Sequence, residues 1–304
     1  MASPLVAVIP SGWSTTPAWQ AWSTALSTAF GAVGLTRVVE GAAISSPAPL
    51  ASIPRPGAGV FPAFEIWKFD DPATGACPVY MRVAYGALPA GAAYPCMVIA
   101  VGDSTNGSGL VTFAGVVSDP VTVTPGAVAD TAARQSWLSY DGDGFVFAHS
   151  IDSPGNQSLF VVDRQRRPDG TAQPNPGWPD TGFMRFAYGS SPTGRPVSFY
   201  DPVAGVVTSP NLVPAIGGRT FPAATSMLNA ANEMTMLPWW ITTRQGGYAS
   251  KMVLSVPTID ANTSNILTVP HLGATRTYRA LGPVLGAGVA PGDTYVGYAI
   301  WWED

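Results

Sequence analysis

The sequence has 304 residues, a length that suits one large β domain or two ordinary ones. Hydrophobic residues make up 46% of the chain and can fill a sizeable core, but charged residues make up only 11%, against about 25% in a typical soluble domain. The net charge of −4 offers no basic surface for nucleic acid, and the aromatic content of 11% argues against a disordered chain.

The shortage of charged residues has two explanations. A surface with few charges is expected where neighbouring subunits cover it. Only two lysines occur, Lys68 and Lys251, and lysine is the usual blocker of exposed sheet edges. A genome rich in guanine and cytosine would also favour arginine over lysine, although it explains the low total charge less well. Both explanations stay open, and the first predicts contacts between subunits.

The N-terminal residues contain no basic segment ahead of an apolar stretch, so no signal peptide is indicated. The longest strongly apolar stretch begins at Cys96 and is far shorter than the roughly 18 residues of a membrane helix. We therefore expect a soluble chain made in a reducing cytoplasm, with Cys77 and Cys96 as buried free thiols. A hairpin of residues 78–85 with residues 95–102 would place Cys96 opposite Ala84, far from Cys77.

The first predicted element is an amphipathic helix near the N-terminus. Thr16 can cap this helix, and Pro17 suits its first position. Gly31 and Gly34 end it. Large apolar residues recur every three to four positions along it, at Trp19, Trp22, Leu26 and Phe30. Packing in the core is the first explanation of this stripe, and contact with a groove on a partner is the second.

After the helix, residues 42–62 are rich in Ala, Pro, Ser and Gly and are predicted to form an extended linker. Beyond them, short segments of alternating apolar and polar residues are separated by turn residues, a pattern typical of antiparallel strands. Strands are predicted at residues 64–69, 79–85, 96–101, 137–140, 145–149, 159–163, 183–188, 197–200, 239–243, 252–256, 278–281 and 295–302. A short helix is predicted around residues 225–234.

The pattern predicts a mainly β fold, built of antiparallel β-sandwich or jelly-roll-like units with one N-terminal amphipathic helix. Residues 1–60 are predicted to form an N-terminal arm with a short helix and a Pro-rich linker, and residues 61–215 a β-sandwich domain. Residues 216–304 are predicted to form a C-terminal β region that could belong to the same domain. The segments 81–86 and 184–189 differ at one position only, which indicates either two related β units or a chance similarity in a biased composition.

No motif for catalysis or cofactor binding stands out. A phosphate-binding P-loop needs Gly directly before Lys, and neither lysine follows a glycine. With only His149 and His271, a three-histidine zinc site cannot form. Asp141 and Asp143 could supply paired carboxylates for sugar cleavage or oxygen ligands for calcium, but Asp-Gly between two strand patterns is typical of a hairpin turn. We therefore predict no enzyme, and no catalytic, cofactor-binding or metal-binding residues.

Ten tryptophans are present, and two pairs of them are adjacent in predicted strands, at residues 239–240 and 301–302. Adjacent residues in a strand point to opposite faces, so only one member of each pair is expected to enter a core. Trp is common at protein interfaces. Contact between subunits is the first explanation, packing within the chain the second, and carbohydrate binding the third. The predicted interface residues are Trp19, Trp22, Trp239, Trp240, Trp301 and Trp302.

Four segments resemble parts of virion proteins from tailed bacteriophages. Residues 64–71, FEIWKFDD, and residues 78–86, PVYMRVAYG, resemble the opening β unit of tail- and baseplate-associated proteins. Residues 144–148, GFVFA, and residues 159–166, LFVVDRQR, are similar to a hairpin of such proteins. The four segments lie within residues 64–166, about a third of the chain, and the resemblance implies incorporation into a virion in symmetric copies.

On this basis the chain is expected to be a structural subunit of a phage tail, baseplate or neck, assembled in the host cytoplasm. Its expected partners are other copies of itself and other virion proteins, with no cofactor, no membrane and no nucleic acid. The first alternative is a receptor- or glycan-binding module of a tail fibre or tail tip. The second is a glycan-cleaving enzyme, which would need two carboxylates about 5–10 Å apart in a cleft.

Overall fold

The structure is a computed structural model of the chain. It describes residues 5–9, 15–38, 47–70, 77–88, 95–123, 134–142, 144–151, 158–164, 182–188, 197–201, 205–208, 211–212, 237–243, 246–257, 266–271, 273–284 and 296–302. Two sequence predictions, the helix around residues 225–234 and the carboxylate of Asp143, lie outside the described residues.

The N-terminal helix α1 spans Thr16–Ala32, where the amphipathic pattern predicted it. Its N-cap is Thr15 rather than Thr16, because the Thr15 hydroxyl accepts a hydrogen bond from the Ala18 N–H at 3.4 Å. The predicted cap was one residue late because Pro17 occupies the second helical position, not the first. Gly34, with a left-handed φ of 104°, follows the helix and turns the chain away.

A second helix, α2, spans Pro47–Ser52, where the Pro-rich composition predicted an extended linker. It packs against α1, and its Leu50 is fully buried. The Gln20 side chain on α1 donates a hydrogen bond to the Ile53 carbonyl just after α2, at 2.9 Å. The composition missed this helix because burial of an apolar side chain, rather than helix propensity, stabilises so short an element.

The largest sheet has seven strands, which are, in spatial order, β1 (Leu5–Ile9), β10 (Arg134–Tyr140), β11 (Gly144–Ile151), β12 (Ser158–Arg164), β13 (Phe183–Tyr188), β14 (Val197–Asp201) and β15 (Gly205–Thr208). All neighbouring strands are antiparallel. The last six follow one another in sequence and form a meander, and β1 joins its outer side next to β10.

A five-stranded sheet contains β2 (Thr36–Val38), β3 (Ala63–Lys68), β4 (Tyr80–Ala87), β5 (Pro95–Gly102) and β9 (Val121–Val123), in this spatial order. Between β5 and β9 the chain forms a small three-stranded sheet of β6 (Ser104–Thr105), β7 (Val111–Phe113) and β8 (Val116–Val117). Cys96 lies opposite Gly86 and not Ala84, because β4 extends two residues further than predicted. Cys77 and Cys96 are both buried and neither forms a disulfide, as the sequence predicted.

A six-stranded antiparallel sheet is formed by β16 (Asn211–Leu212), β17 (Leu237–Thr243), β18 (Gly246–Pro257), β21 (Val296–Trp301), β20 (Ala274–Val284) and β19 (Ile266–His271), in this spatial order. Its long strand β18 contacts β11 and β12 of the seven-stranded sheet. The six-stranded sheet therefore packs against the seven-stranded sheet through β18.

One core cluster joins α1, the five-stranded sheet and the seven-stranded sheet, so these two sheets face each other as layers of a sandwich. The Phe69 ring lies 6.2 Å from Phe145 and 5.2 Å from Tyr140 between ring centroids. On α1, Phe30 lies 5.8 Å from Trp67 in one layer and 5.9 Å from Phe145 in the other. The mainly β, antiparallel fold with an N-terminal helix is therefore confirmed.

The N-terminal region is part of this sandwich. β1 pairs with β10, and the apolar side chains of α1 lie in the core cluster shared by both layers. The side chains of α1 therefore contribute to the same hydrophobic core as the region predicted to be the sandwich domain, and the backbone of β1 extends its seven-stranded sheet. The domain boundaries near residues 60 and 215 stay predictions.

Candidate binding groove

A groove lies between the last three strands of the seven-stranded sheet and the segment that contains β8. It encloses about 490 Å³, within the range of about 300–1,000 Å³ that is usual for ligand sites. Arg185, Ser198, Tyr200 and Val206 line its sheet side, and Phe113 and residues 116–120 line the opposite side. We refer to it as the Arg185 groove.

The pairing register of β13, β14 and β15 assembles the sheet side of the groove. Arg185 lies directly opposite Ser198, and Tyr200 lies directly opposite Val206. Directly opposed residues of antiparallel strands project on the same face, and residues two apart along a strand share that face. The four side chains therefore form one patch on the face that lines the groove.

Arg185 is buried, with an exposed fraction of 2%, although it carries a charge. Its Nη1 donates to the Asp119 carbonyl oxygen at 2.5 Å, and its Nη2 donates to the Ser198 hydroxyl at 2.8 Å. Its Nε has no hydrogen-bond partner among the described residues. Burial lowers the pKa of the Arg185 guanidinium, while electrostatic interactions with Tyr200 and Asp119 act in the opposite direction. The guanidinium is thus stabilised by hydrogen bonds to a carbonyl and a hydroxyl and by its electrostatic interactions with Tyr200 and Asp119.

Ser118 adds a second polar atom without a partner. Its exposed fraction is 9%, and within the described part of the chain its Oγ makes no hydrogen bond. The backbone is tight at this point: a Cβ on Gly102 would lie 2.2 Å from the Thr112 carbonyl oxygen and 3.2 Å from the Ser118 Oγ. An unsatisfied buried polar atom costs about 1–3 kcal/mol. Two residues that line the groove, Arg185 and Ser118, thus each hold a buried polar atom without a hydrogen-bond partner among the described residues.

Aromatic rings close the floor of the groove. The Tyr200 ring stacks on Phe183, with centroids 4.6 Å apart and planes inclined by 8°. Phe113 meets Tyr200 edge-on at 5.1 Å. All three residues are buried, so the protein itself covers almost all of their ring surfaces. They support the groove without offering an open ring face to a ligand.

The rim of the groove is apolar. Val116 and Val117 on β8 are 70% and 53% exposed, and Val206 on β15 is 44% exposed. β8 and β15 are each the outermost strand of their sheet. The turn before Val116 is tight, because Ala114 and Gly115 take left-handed φ values of 49° and 79°. The β7–β8 hairpin therefore projects its valines beside the groove.

A buried polar cluster joins the seven-stranded sheet to the six-stranded sheet. The Asp163 Oδ2 atom on β12 accepts hydrogen bonds from the Ser250 hydroxyl at 2.9 Å and from the backbone N–H groups of Lys251 and Met252 at 2.8 and 3.3 Å. Burial raises the pKa of Asp163 to about 7, against the effect of these hydrogen bonds. Lys251 also pairs through Nζ with the Asp141 carboxylate. The cluster thus anchors β18 on the sandwich.

His271 lies beside this cluster but not at the serine hydroxyl. Its Nε2 is 2.8 Å from the Ser250 carbonyl oxygen. A nucleophilic hydroxyl must be reached by its substrate, whereas the Ser250 hydroxyl is buried and donates to the equally buried Asp163. Burial lowers the pKa of His271. The arrangement of these three residues fits a structural role.

A second buried carboxylate ties α1 to the five-stranded sheet. The Ser27 hydroxyl donates to Glu65 Oε1 and the Tyr85 hydroxyl to Glu65 Oε2, both at 2.8 Å. Arg37 Nε lies 3.7 Å from Oε1. Burial raises the pKa of Glu65, and these partners oppose that change. The carboxylate is fully buried, so its partners fix how α1 sits on the sheet.

The predicted interface residues on α1 pack inside the chain. Trp19 and Trp22 have exposed fractions of 0% and 3%, which is the core packing given as the first explanation of the stripe. The Trp19 Nε1 donates to the Gly86 carbonyl at 3.4 Å, and the Trp22 ring meets Tyr85 at 6.4 Å. These side chains therefore hold the helix against β4.

Trp301 and Trp302 are both buried, although strict alternation predicted that only one of them would be. The reason is that β21 ends at Trp301, and the Trp302 N–H then donates to the Thr277 carbonyl at 2.9 Å. The Arg279 guanidinium also lies 4.9 Å from the Trp302 ring centroid. Trp239 and Trp240 lie in β17, and their side chains are outside what the structure describes, so their contact with a partner stays a prediction.

The predicted turn between β10 and β11 is present. The Asp141 N–H donates to the Gly144 carbonyl at 3.2 Å, the Gly144 N–H donates to Asp141 Oδ1 at 3.1 Å, and Gly142 has a φ of 98°. The ion pair with Lys251 occupies the Asp141 carboxylate. His149 lies in β11, as predicted, and its side chain is not described.

Sequence reasoning did not identify Arg185, Asp163 or Glu65 as buried polar residues. Each stands in a strand whose pattern was interpreted from its apolar residues. The available signal was a single charged residue inside a strongly apolar strand, as in FMRFAY around Arg185. Such a residue is expensive to bury unless distant partners satisfy it, and those partners are invisible in the local pattern.

No helix in the described ranges is long and apolar enough to cross a membrane. Among the same residues, no three His, Cys, Asp or Glu side chains are grouped so that they could hold a metal ion. No protein-family model matches the sequence, and no curated protein matches it significantly.

Proposed function

We propose that this chain is a non-enzymatic structural subunit of a tailed-bacteriophage virion, in the tail, baseplate or neck. It assembles through contacts with copies of itself and with other virion proteins. Two observations support the proposal. The first is the resemblance to such proteins of segments within residues 64–86 and 144–166. The second is the exposure of apolar side chains on the edge strands of three sheets.

The position of the exposed apolar side chains carries the proposal. Val116 and Val117 lie on β8, Val206 on β15 and Ile266, 40% exposed, on β19. Each of these strands is the outermost of its sheet. An apolar edge strand is a template on which another chain adds a strand, and β-branched residues favour that pairing. Three sheets therefore each present exposed apolar side chains at an edge, where a neighbouring subunit would cover them.

Lysine, the usual blocker of such edges, is absent from these strands. The two lysines of the chain lie on inner strands, Lys68 on β3 and Lys251 on β18. Lys251 is moreover buried and paired with Asp141. A chain that worked alone would expose its apolar edges to aggregation, whereas a subunit covered by neighbours would not.

The proposal is tested on particles. Tailed particles are purified from a lysate of the source host by density gradient, and their proteins are quantified by mass spectrometry against an isotope-labelled peptide of this chain. We expect this chain at a fixed copy number per particle, as a multiple set by the symmetry of the particle. Its absence from purified particles, or a copy number that varies between preparations, would contradict the proposal.

A second candidate is a receptor- or glycan-binding module of a tail fibre or tail tip, and the Arg185 groove is the observation that favours it. Its volume is in the range of ligand sites. Glycan binding through stacking would require an open aromatic face, however, and Tyr200 and Phe113 are buried. Binding of the purified chain to an array of host surface glycans would favour this candidate over the structural one.

A further inference from the structure

We propose that the Arg185 groove binds a short extended peptide segment that carries a carboxylate side chain, supplied by a neighbouring protein subunit. The inference rests on the proposed assembly function and names the chemistry of the partner.

The buried guanidinium of Arg185 favours an acidic ligand. Arg185 donates to a carbonyl and a hydroxyl, and its Nε has no partner among the described residues. A buried guanidinium is costly unless a carboxylate or its equivalent satisfies it, and the planar fork of arginine fits a carboxylate in two parallel hydrogen bonds. Asp119 is exposed and meets Arg185 through its backbone carbonyl. The Asp119 carboxylate thus acts on Arg185 only electrostatically, and no carboxylate of the described residues accepts a hydrogen bond from the guanidinium, so we expect a ligand to supply one.

The rim of the groove indicates that the ligand is an extended peptide. Exposed valines stand on both sides of the groove, Val116 and Val117 on β8 and Val206 on β15. In an extended segment, successive side chains point to opposite faces. An acidic side chain would then point into the groove towards Arg185, while the peptide backbone on either side of it lies at the level of the rim. β15, the longer of the two edge strands, has four residues, so a peptide of about five residues would span its full length.

The same floor argues against an acidic sugar as the ligand. A pyranose ring would stack on an exposed aromatic face, but Tyr200 is sandwiched against Phe183 at 4.6 Å and flanked by Phe113 at 5.1 Å. The remaining lining side chains at the rim are valines and Pro120, which suit apolar peptide side chains better than sugar hydroxyls. The groove therefore favours a peptide over a uronic acid.

The test uses two fluorescently labelled peptides on the full chain, acetyl-Thr-Val-Glu-Val-Thr-amide and the same peptide with Gln in place of Glu. A hydrogen bond to a charged group is worth about 1.5–3 kcal/mol, so fluorescence anisotropy is expected to show at least about tenfold tighter binding of the Glu peptide. Val206→Ser is expected to weaken both peptides by the same factor. Ile266→Ser, at a β-branched and similarly exposed position away from the groove, is the matched control and is expected to change neither affinity.

Arg185→Gln is expected to abolish the preference for Glu, and Asp119→Asn is expected to strengthen binding of the Glu peptide only. If Arg185→Gln does not fold, the affinities of the wild-type protein for the two peptides still show whether the groove prefers a carboxylate. Equal affinity for both peptides, no binding of either, or a site filled by glucuronate but not by the Glu peptide would each overturn the inference. None of these results would alter the copy number of the chain in particles, so the inference and the proposed function fail separately.

Discussion

Substitution of Asp163 by asparagine is expected to change how the stability of the protein depends on pH. The native state keeps the Asp163 proton up to about pH 7, whereas an unperturbed aspartate releases it near 3.8. Between these two values the native state binds the extra proton, so a rise in pH lowers the free energy of unfolding. Asparagine has the shape of protonated aspartate but does not titrate, so this contribution is absent from the variant.

The magnitude follows from the two pKa values. A rise of the pKa from 3.8 to about 7 corresponds to about 4 kcal/mol, because one pH unit is worth about 1.4 kcal/mol. The asparagine amide nitrogen would stand where Asp163 Oδ1 has no hydrogen-bond partner among the described residues, which costs about 1–3 kcal/mol at every pH. The informative quantity is therefore the difference in unfolding free energy between variant and wild type as a function of pH. It is expected to move in favour of the variant by about 4 kcal/mol between pH 4 and pH 8.

Urea unfolding followed by tryptophan fluorescence at pH 4, 5.5, 7 and 8 measures this difference. Glu65, whose pKa burial also raises, is present in both proteins, so its contribution cancels. Asp70→Asn is the matched control, because Asp70 is exposed. Parallel pH profiles for Asp163→Asn and the wild type would refute the reasoning, since they would show that Asp163 releases its proton at the same pH in the folded and unfolded states.

Three further predictions concern packing, edges and thiol chemistry. Gly86→Ala is expected to destabilise the protein by about 3 kcal/mol in urea unfolding, because the new Cβ would lie 2.3 Å from the Val60 carbonyl oxygen. Gly57→Ala is the control: its Cβ would have no atom within 4 Å, so stability should change by less than about 0.5 kcal/mol. Val117→Lys is expected to lower the oligomer mass found by native mass spectrometry without changing the circular dichroism spectrum; an unchanged mass would show that β8 is not a contact. Burial raises the pKa of Cys96 to about 12, so iodoacetamide at pH 8 should label it only after denaturation, and rapid labelling of the native protein would contradict this.

The strands were largely predictable because alternation of apolar and polar residues is a local signal. β13, for example, spans Phe183–Tyr188, the same residues that the pattern predicted. Register was less predictable, since it depends on where both strands of a pair end; Cys96 therefore lies opposite Gly86 and not Ala84. The helix cap differed by one residue because Pro17 occupies the second helical position rather than the first.

The buried polar residues could not be predicted, because their partners come from distant parts of the chain. Glu65 meets Ser27 and Tyr85, and Asp163 meets Ser250, which lies in another sheet. In the local pattern each carboxylate occupies a position that is equally compatible with a solvated strand face. The Arg185 groove was missed in the same way, since residues on either side of it come together only in the folded sandwich.

The pairing of β1 with β10 has a consequence for synthesis on the ribosome. Leu5 pairs with Leu138, about 130 residues later, whereas β10–β15 pair with their neighbours in sequence. At roughly 5–20 residues per second, the apolar segment Leu5–Ile9 waits on the order of 6–26 seconds for its partner strand to emerge. The meander can form hairpin by hairpin, but this contact of high sequence separation closes late. Nascent chains halted before residue 134 therefore carry an unpaired apolar strand that a chaperone is expected to cover.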